Sequence, residues 1–98
     1  RRIFVAREAQ DMRRGIDTLV SVVEHGLRED PYAGDCFLFF SRDRRKLKAL
    51  VWEDGGFWLC MKRLESGTFA AVSSWSASTS SVVTVTPARV YAYLKASI

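Results

Sequence analysis

Long apolar runs are missing from this chain. No stretch approaches the roughly 20 residues needed to cross a bilayer, and Arg1-Arg2-Ile3-Phe4-Val5-Ala6-Arg7 breaks off too early for a secretory signal, so the chain reads as cytoplasmic, without a membrane partner. Cysteine is scarce. Cys36 and Cys60 are the two present, each inside an apolar run, and without a secretory signal they read as buried thiols, not as a disulfide. Histidine occurs once, as His25, so a nucleophile-base-orienter arrangement lacks its usual base. A metal held by His25, Cys36 and Cys60 would need donors from a solvent face and a core at once, so no metal and no cofactor is expected. Internal repeats are also absent, which excludes a solenoid.

What is present suits one globular unit. Hydrophobic residues are 48% of the 98 and charged residues 27%, an ordinary globular balance. That length suits one core, so residues 1–98 are expected to be a single domain. The net charge is +4, and its placement says more than its size. Arg42, Arg44, Arg45, Lys46 and Lys48 face one acid, Asp43, while the rest of the chain carries ten cations and ten acids. The whole surplus therefore sits between Arg42 and Lys48, where a polyanion would feel it.

Periodicity suggests the elements. Ile3 to Arg7 alternates loosely as a short first strand. From Asp11 to Glu29, the residues Met12, Ile16, Leu19, Val20, Val23 and Leu27 form one stripe at helical spacing, with Asp11 as N-cap and Asp30-Pro31 as the stop. His25 falls opposite that stripe. Cys36 to Phe40 is short and aromatic, as in a buried strand. Leu47 to Glu53 and Phe57 to Leu64 follow as strands around the turn Asp54-Gly55-Gly56. Thr68 to Val72 and Val82 to Val85 are further strand candidates on either side of a serine-rich loop, and Thr86-Pro87 opens a terminal helix. The expected fold is α+β: an antiparallel β-meander packed against a long N-terminal helix and a short C-terminal helix.

Several stretches carry a family resemblance. They are Asp11-Met12-Arg13-Arg14-Gly15-Ile16-Asp17-Thr18-Leu19, Asp30-Pro31-Tyr32-Ala33-Gly34, Lys48-Ala49-Leu50-Val51-Trp52 leading to Lys62-Arg63-Leu64-Glu65-Ser66-Gly67-Thr68-Phe69, and Thr86-Pro87-Ala88-Arg89. In order and spacing they resemble the accessory protein encoded by the second open reading frame of the insertion sequence sixty-six family, the TnpB or Orf-two type, which is distinct from the RNA-guided nucleases sharing the TnpB name. The resemblance implies a bacterial mobile element and a transposase encoded in the same operon. Two departures stand out: Glu53-Asp54-Gly55-Gly56 replaces an Asp-Gly-x-Gly turn, and Arg45 replaces an acid at the end of the basic hairpin.

The candidate site is a binding surface, not a catalytic centre, and no enzyme is expected. Asp11, Asp17, Asp30, Asp35, Glu53 and Asp54 could in principle serve two-metal chemistry, but each has a simpler task in a cap, an ion pair or a turn. The hairpin cations Arg42, Arg44, Arg45, Lys46 and Lys48 could straddle a phosphate backbone or enter a groove. Alternatively they keep a sheet edge charged against unwanted pairing. Arg13 and Arg14 oppose a helix dipole, so they either pair with Asp11 and Asp17 or meet phosphate or an acidic patch on the transposase. Lys62 joins them as a DNA-contact candidate, and Lys62 or Arg63 is expected to pack over Trp52 or Trp58. Most aromatics read as core. Trp75, alone in the serine-rich loop, and Tyr91 are partner-binding candidates for a second possibility, a module that touches the transposase without touching DNA.

Overall fold

Cys36–Phe40 (β2) has no polar alternation, and it forms the middle strand of the sheet, with all of Phe37, Leu38, Phe39 and Phe40 buried. A strand covered on both faces has no use for a polar side. The computed structural model describes residues 2–71 and 82–85. Around β2 it arranges Ile3–Ala6 (β1), Lys46–Glu53 (β3), Gly56–Arg63 (β4) and Val82–Val85 (β5) in a five-stranded sheet of order β4-β3-β2-β1-β5.

The expected fold needs correcting in two respects. The sheet is mixed: β3 runs antiparallel to both β2 and β4, and β5 antiparallel to β1, but β1 lies parallel to β2 with Phe4 opposite Phe37 and Val5 opposite Leu38. Neighbouring parallel strands need a crossover, and the long segment between β1 and β2 supplies it through the helix. The long N-terminal helix is also absent. Ile16–Ser21 (α1) continues into a π-helical segment, Val22–Leu27, and ends at Arg28 in the left-handed region (φ 56°). The described residues are thus mainly β.

The physical reason for the short helix lies in its first residues. The Asp11 carboxylate accepts from the Arg13 backbone N–H at 2.9 Å, and the Arg14 N–H donates to Asp11 O at 3.1 Å, closing a local turn. Such side-chain to backbone bonds compete with helix. Gly15 is then extended (φ −94°, ψ −166°) and is the actual N-cap, so helical bonding starts only at Ile16. Leu19, Val20, Val23 and Leu27 are buried as the periodicity implies, whereas Ile16 is exposed.

Two cores flank the sheet. On the helix side Phe4, Ala6, Phe37, Phe39 and Leu50 pack with Leu19, Val20, Val23 and Leu27, and Phe4 stacks on Phe37 with centroids 5.2 Å apart. On the other side Val5, Leu38, Phe40, Leu47 and Val83 gather around Phe69, which follows β4. Asp35 anchors the start of β2, accepting from the backbone and side chain of Arg2 at 2.9 and 3.1 Å. The β3–β4 link is tight: Glu53 opposes Gly56, and Asp54 (φ 49°) and Gly55 (φ 83°) both lie in the left-handed region that such hairpins require.

Other expectations fare variously. Among residues 68–71 there is an isolated bridge at Thr68 and no strand. No disulfide joins Cys36 and Cys60; Cys36 is half-buried at the start of β2, whereas Cys60 is exposed and Trp58 is 63% exposed, because β4 is an outer strand that neither core covers fully. The serine-rich loop, the helix expected from Thr86-Pro87, and with them Trp75 and Tyr91, lie outside the described residues.

Deleting the ring of Phe39, which has no exposed surface, should cost about 3–5 kcal/mol in Phe39→Ala. Total stability is about 5–15 kcal/mol, so its urea midpoint should fall sharply. Trp58→Ala, in dilute protein, should shift stability by only about 0.5 kcal/mol.

Candidate nucleic-acid interface

The turn between β2 and β3 is shaped by one serine and one aspartate. The Ser41 N–H donates to Lys46 O and the Arg44 N–H to Ser41 O, both at 3.0 Å. Ser41 Oγ donates to Asp43 Oδ1 at 2.7 Å and accepts from the Lys46 N–H at 3.0 Å, while Asp43 Oδ1 also accepts from the Arg45 N–H at 3.1 Å. Arg44 occupies the left-handed region (φ 58°). The Ser41 hydroxyl, with the Arg45 N–H behind it, holds the Asp43 carboxyl below the usual range. The acid amid the cations is therefore engaged in forming the turn.

Strand alternation decides where the cations go. Leu50 belongs to the helix-side core and Leu47 to the opposite one, so Lys46 and Lys48 point to the helix side. There Lys48 Nζ donates to Arg14 O at 2.8 Å. Arg13 clasps Asp11 with contacts from 2.7 to 3.1 Å, and Arg14 reaches Gln10 Oε1 at 3.0 Å. The Arg13 guanidinium bond holds the Asp11 carboxyl well below its ordinary value. The expected pairing of Arg13 with Asp11 is thus present, and Arg14 takes a neutral partner. A surface groove of about 440 Å³ separates the two turns, lined by Gln10, Asp11, Met12, Arg13, Ser41, Arg42, Asp43 and Lys46.

The other predicted cations leave that side. Arg44 turns toward the segment after β4, with Nη1 3.5 Å from Phe69 O, and its own carbonyl accepts from the Phe69 N–H at 2.7 Å. Arg45 Nη2 lies 3.4 Å from Glu65 O. Lys62 stands opposite Leu47 and shares its face, so Lys62 is remote from Arg13 and Arg14. The structure therefore groups Arg13, Arg14, Lys46 and Lys48 on one flank of the turn and sets Arg44, Arg45 and Lys62 apart, with Arg42 between the two.

Sequence reasoning missed Arg7. It lines a second groove, of about 320 Å³, with Glu8, Phe40, Arg42 and Arg44. The signal was the parallel pairing: parallel strands finish at the same end of a sheet, so the residue after β1 meets the residues after β2. Arg42 borders both grooves.

The arrangement has little to offer bond chemistry. Asp11, Asp35 and Asp43 hold arginines or turns, and Asp30 accepts from the Tyr32 N–H at 2.8 Å. His25 is exposed, with Nδ1 3.2 Å from Ser21 O, one turn back on the same helix. Among the described residues no three His, Cys, Asp or Glu side chains are grouped to hold a metal ion. Nor is any described helix long and apolar enough to cross a membrane.

Comparison with known proteins gives a consistent family. A family model described as IS66 Orf2 like protein matches residues 1–97. The uncharacterized protein y4jC of Sinorhizobium fredii is 43% identical over 68 residues, covering 69% of this chain and 58% of that protein. The chain thus spans less than two thirds of that relative. The uncharacterized protein y4hO of the same organism is 33% identical over 98 residues, covering 99% of this chain and 80% of its own length. No solved structure matches the chain.

Because the folded-state pKa of Asp43 is depressed, its contribution to stability is present above the unfolded value of about 3.9 and is lost as pH falls through the lower folded value. Denaturant midpoints followed downward from about pH 5 should therefore fall, and Asp43→Asn should flatten that part of the profile while lowering stability at neutral pH.

Proposed function

The chain belongs to the IS66 Orf2-like family, and from that premise we propose that this transposition-associated accessory protein is non-catalytic, binds DNA at the β2–β3 turn, and assists a transposase encoded in the same operon, in the bacterial cytoplasm. The observation that carries the reading is the gathering of Arg42 and Lys46 around one groove, with Arg14 and Lys48 beside it, while Asp11 is paired with Arg13 and Asp43 is engaged by the hydrogen bonds of the turn. Arg44, Arg45 and Lys62, on the opposite flank, would meet the backbone where it bends past the turn. Cations on both sides of a narrow ribbon suit a groove wall, since phosphates approach from two directions there.

The family relation supports the transposition setting, and the charge supports DNA as the ligand. A protein-only role, with contact to the transposase and none to DNA, makes the opposite prediction about salt. Each phosphate contact contributes about 0.9 to the slope of log affinity against log salt, so engagement of the five cations from Arg42 to Lys48 gives a slope of about −4.5. A protein interface would respond much less.

Gel retardation with element-end DNA and with unrelated DNA tests this directly. Arg42→Ala with Lys46→Ala should reduce the slope by about 1.8 and weaken both complexes. Arg44→Ala with Arg45→Ala should weaken them further if the second flank takes part. Failure to retard either DNA at low salt would remove the reading.

A further inference from the structure

We infer that β4 is a self-association edge: two copies of the chain pair antiparallel along Gly56–Arg63, centred on Cys60, to make one continuous sheet. Among the described residues β4 is terminal in the sheet order and pairs only with β3. It is eight residues long, where natural edges are usually short, bulged or charged throughout. Its only charges are Lys62 and Arg63 at one end, and its middle exposes Trp58 (63%), Cys60 and Met61 (57%). An edge of this kind is a template for another strand.

The occupant follows from charge and side-chain complementarity. The β3–β4 turn at one end carries Glu53 and Asp54, and the other end carries Lys62 and Arg63, of which Arg63 is paired with Glu65 at 2.9 Å and Lys62 supplies the surplus charge. A parallel second copy would set like charge against like, whereas an antiparallel copy sets the basic end beside the acidic end. A two-fold axis perpendicular to a sheet preserves its faces, so facing residues must share a side, and the axis must pass through a residue position. With Cys60 on the axis, Trp58 faces Lys62 of the second copy, Phe57 faces Arg63, and Leu59 faces Met61. Each aromatic then meets a cation and each aliphatic an aliphatic. Centring on Leu59 instead sets Lys62 against Gly56, and centring on Met61 sets Arg63 against Leu59, so neither gives the aromatic rings a cation. The Cys60 register also brings the two Cys60 Cα atoms to about 4.5–5.5 Å, within reach of a short thiol cross-linker.

Apart from Lys62, this inference uses none of the DNA-contact residues, and it is tested without DNA. Sedimentation equilibrium should show a concentration-dependent monomer-dimer equilibrium, and a short bis-maleimide should link Cys60 to Cys60 in Cys36→Ser protein but not in Cys60→Ser protein. Lys62→Glu and Met61→Lys, at exposed positions whose folding is checked by circular dichroism, should each weaken the dimer at least about tenfold, the equivalent of 1.4 kcal/mol, and suppress the cross-link. Lys62→Arg should retain both. A chain that stays monomeric up to about 1 mM, a dimer indifferent to Lys62→Glu and Met61→Lys, or a dimer that fails to link through Cys60 would overturn it. The first outcome would leave the edge to a strand from a different protein.

Discussion

Burial of β2 on both faces is the constraint from which the rest of the structure follows. Phe37 and Phe39 require a cover on one side and Leu38 and Phe40 on the other. The helix supplies the first and Phe69 the second. Only strands on both sides of β2 can satisfy its backbone at the same time, since a buried amide or carbonyl without a partner is costly. That requirement brings β1 in as a parallel neighbour and β3 as an antiparallel one. Removing any one cover would expose large aromatic area, so the helix, the sheet and the segment through Phe69 stand or fall together.

The same constraint places the candidate interface. Because β1 and β2 are parallel, their C-terminal ends meet at one end of the sheet, and the chain leaves each of them there in a turn. The Gln10 N–H donates to Phe40 O at 2.9 Å, so the turn after β1 is tied directly to the end of β2. The Asp11–Arg14 turn that shortens the helix is therefore also what carries Arg13 and Arg14 next to Lys46 and Lys48. A helix begun at Asp11 would have spread those arginines around its own axis instead.

The strands were largely legible and their topology was not. Aromatic runs, the Asp54-Gly55 turn and the helical stripe from Leu19 to Leu27 placed most elements within a residue or two, because each is a local signal. The partner of β1 is not local. Loose alternation in Ile3–Arg7 says that a strand is possible but not which strand it joins, and that missing fact concealed both the mixed sheet and Arg7. The helix was overestimated because Met12 and Ile16 fit the apolar period, although the Asp11 carboxylate and the extended Gly15 hold the backbone out of the helix. Burial of Cys60 and Trp58 was overestimated for a related reason: an apolar strand at a sheet edge has the same composition as one at the centre. For the candidate site, charge localisation singled out the β2–β3 turn, but the division of its cations between two flanks depended on strand alternation measured against the cores.

How the cations are held bears on what they are suited to do. A carboxylate fixes an arginine and cancels it, as Asp11 does to Arg13 at 2.7 Å. A backbone carbonyl orients the cation and leaves its charge in place. Lys48 is held by Arg14 O at 2.8 Å, and Arg44 and Arg45 lie at the longer distances of 3.5 and 3.4 Å from Phe69 O and Glu65 O. Ordering a free lysine or arginine on binding costs up to about 2 kcal/mol of side-chain entropy, so a cation already aligned by a neutral acceptor gives up less when it meets an anion. The remaining acid in the segment, Asp43, is exposed beside the groove, but its Oδ1 is engaged by the Ser41 hydroxyl and the Arg45 N–H, so that it shapes the turn. A solvated edge kept charged only to repel other strands would need neither device, and this is why the ordering of the cations, more than their number, favours a polyanion at that end of the sheet.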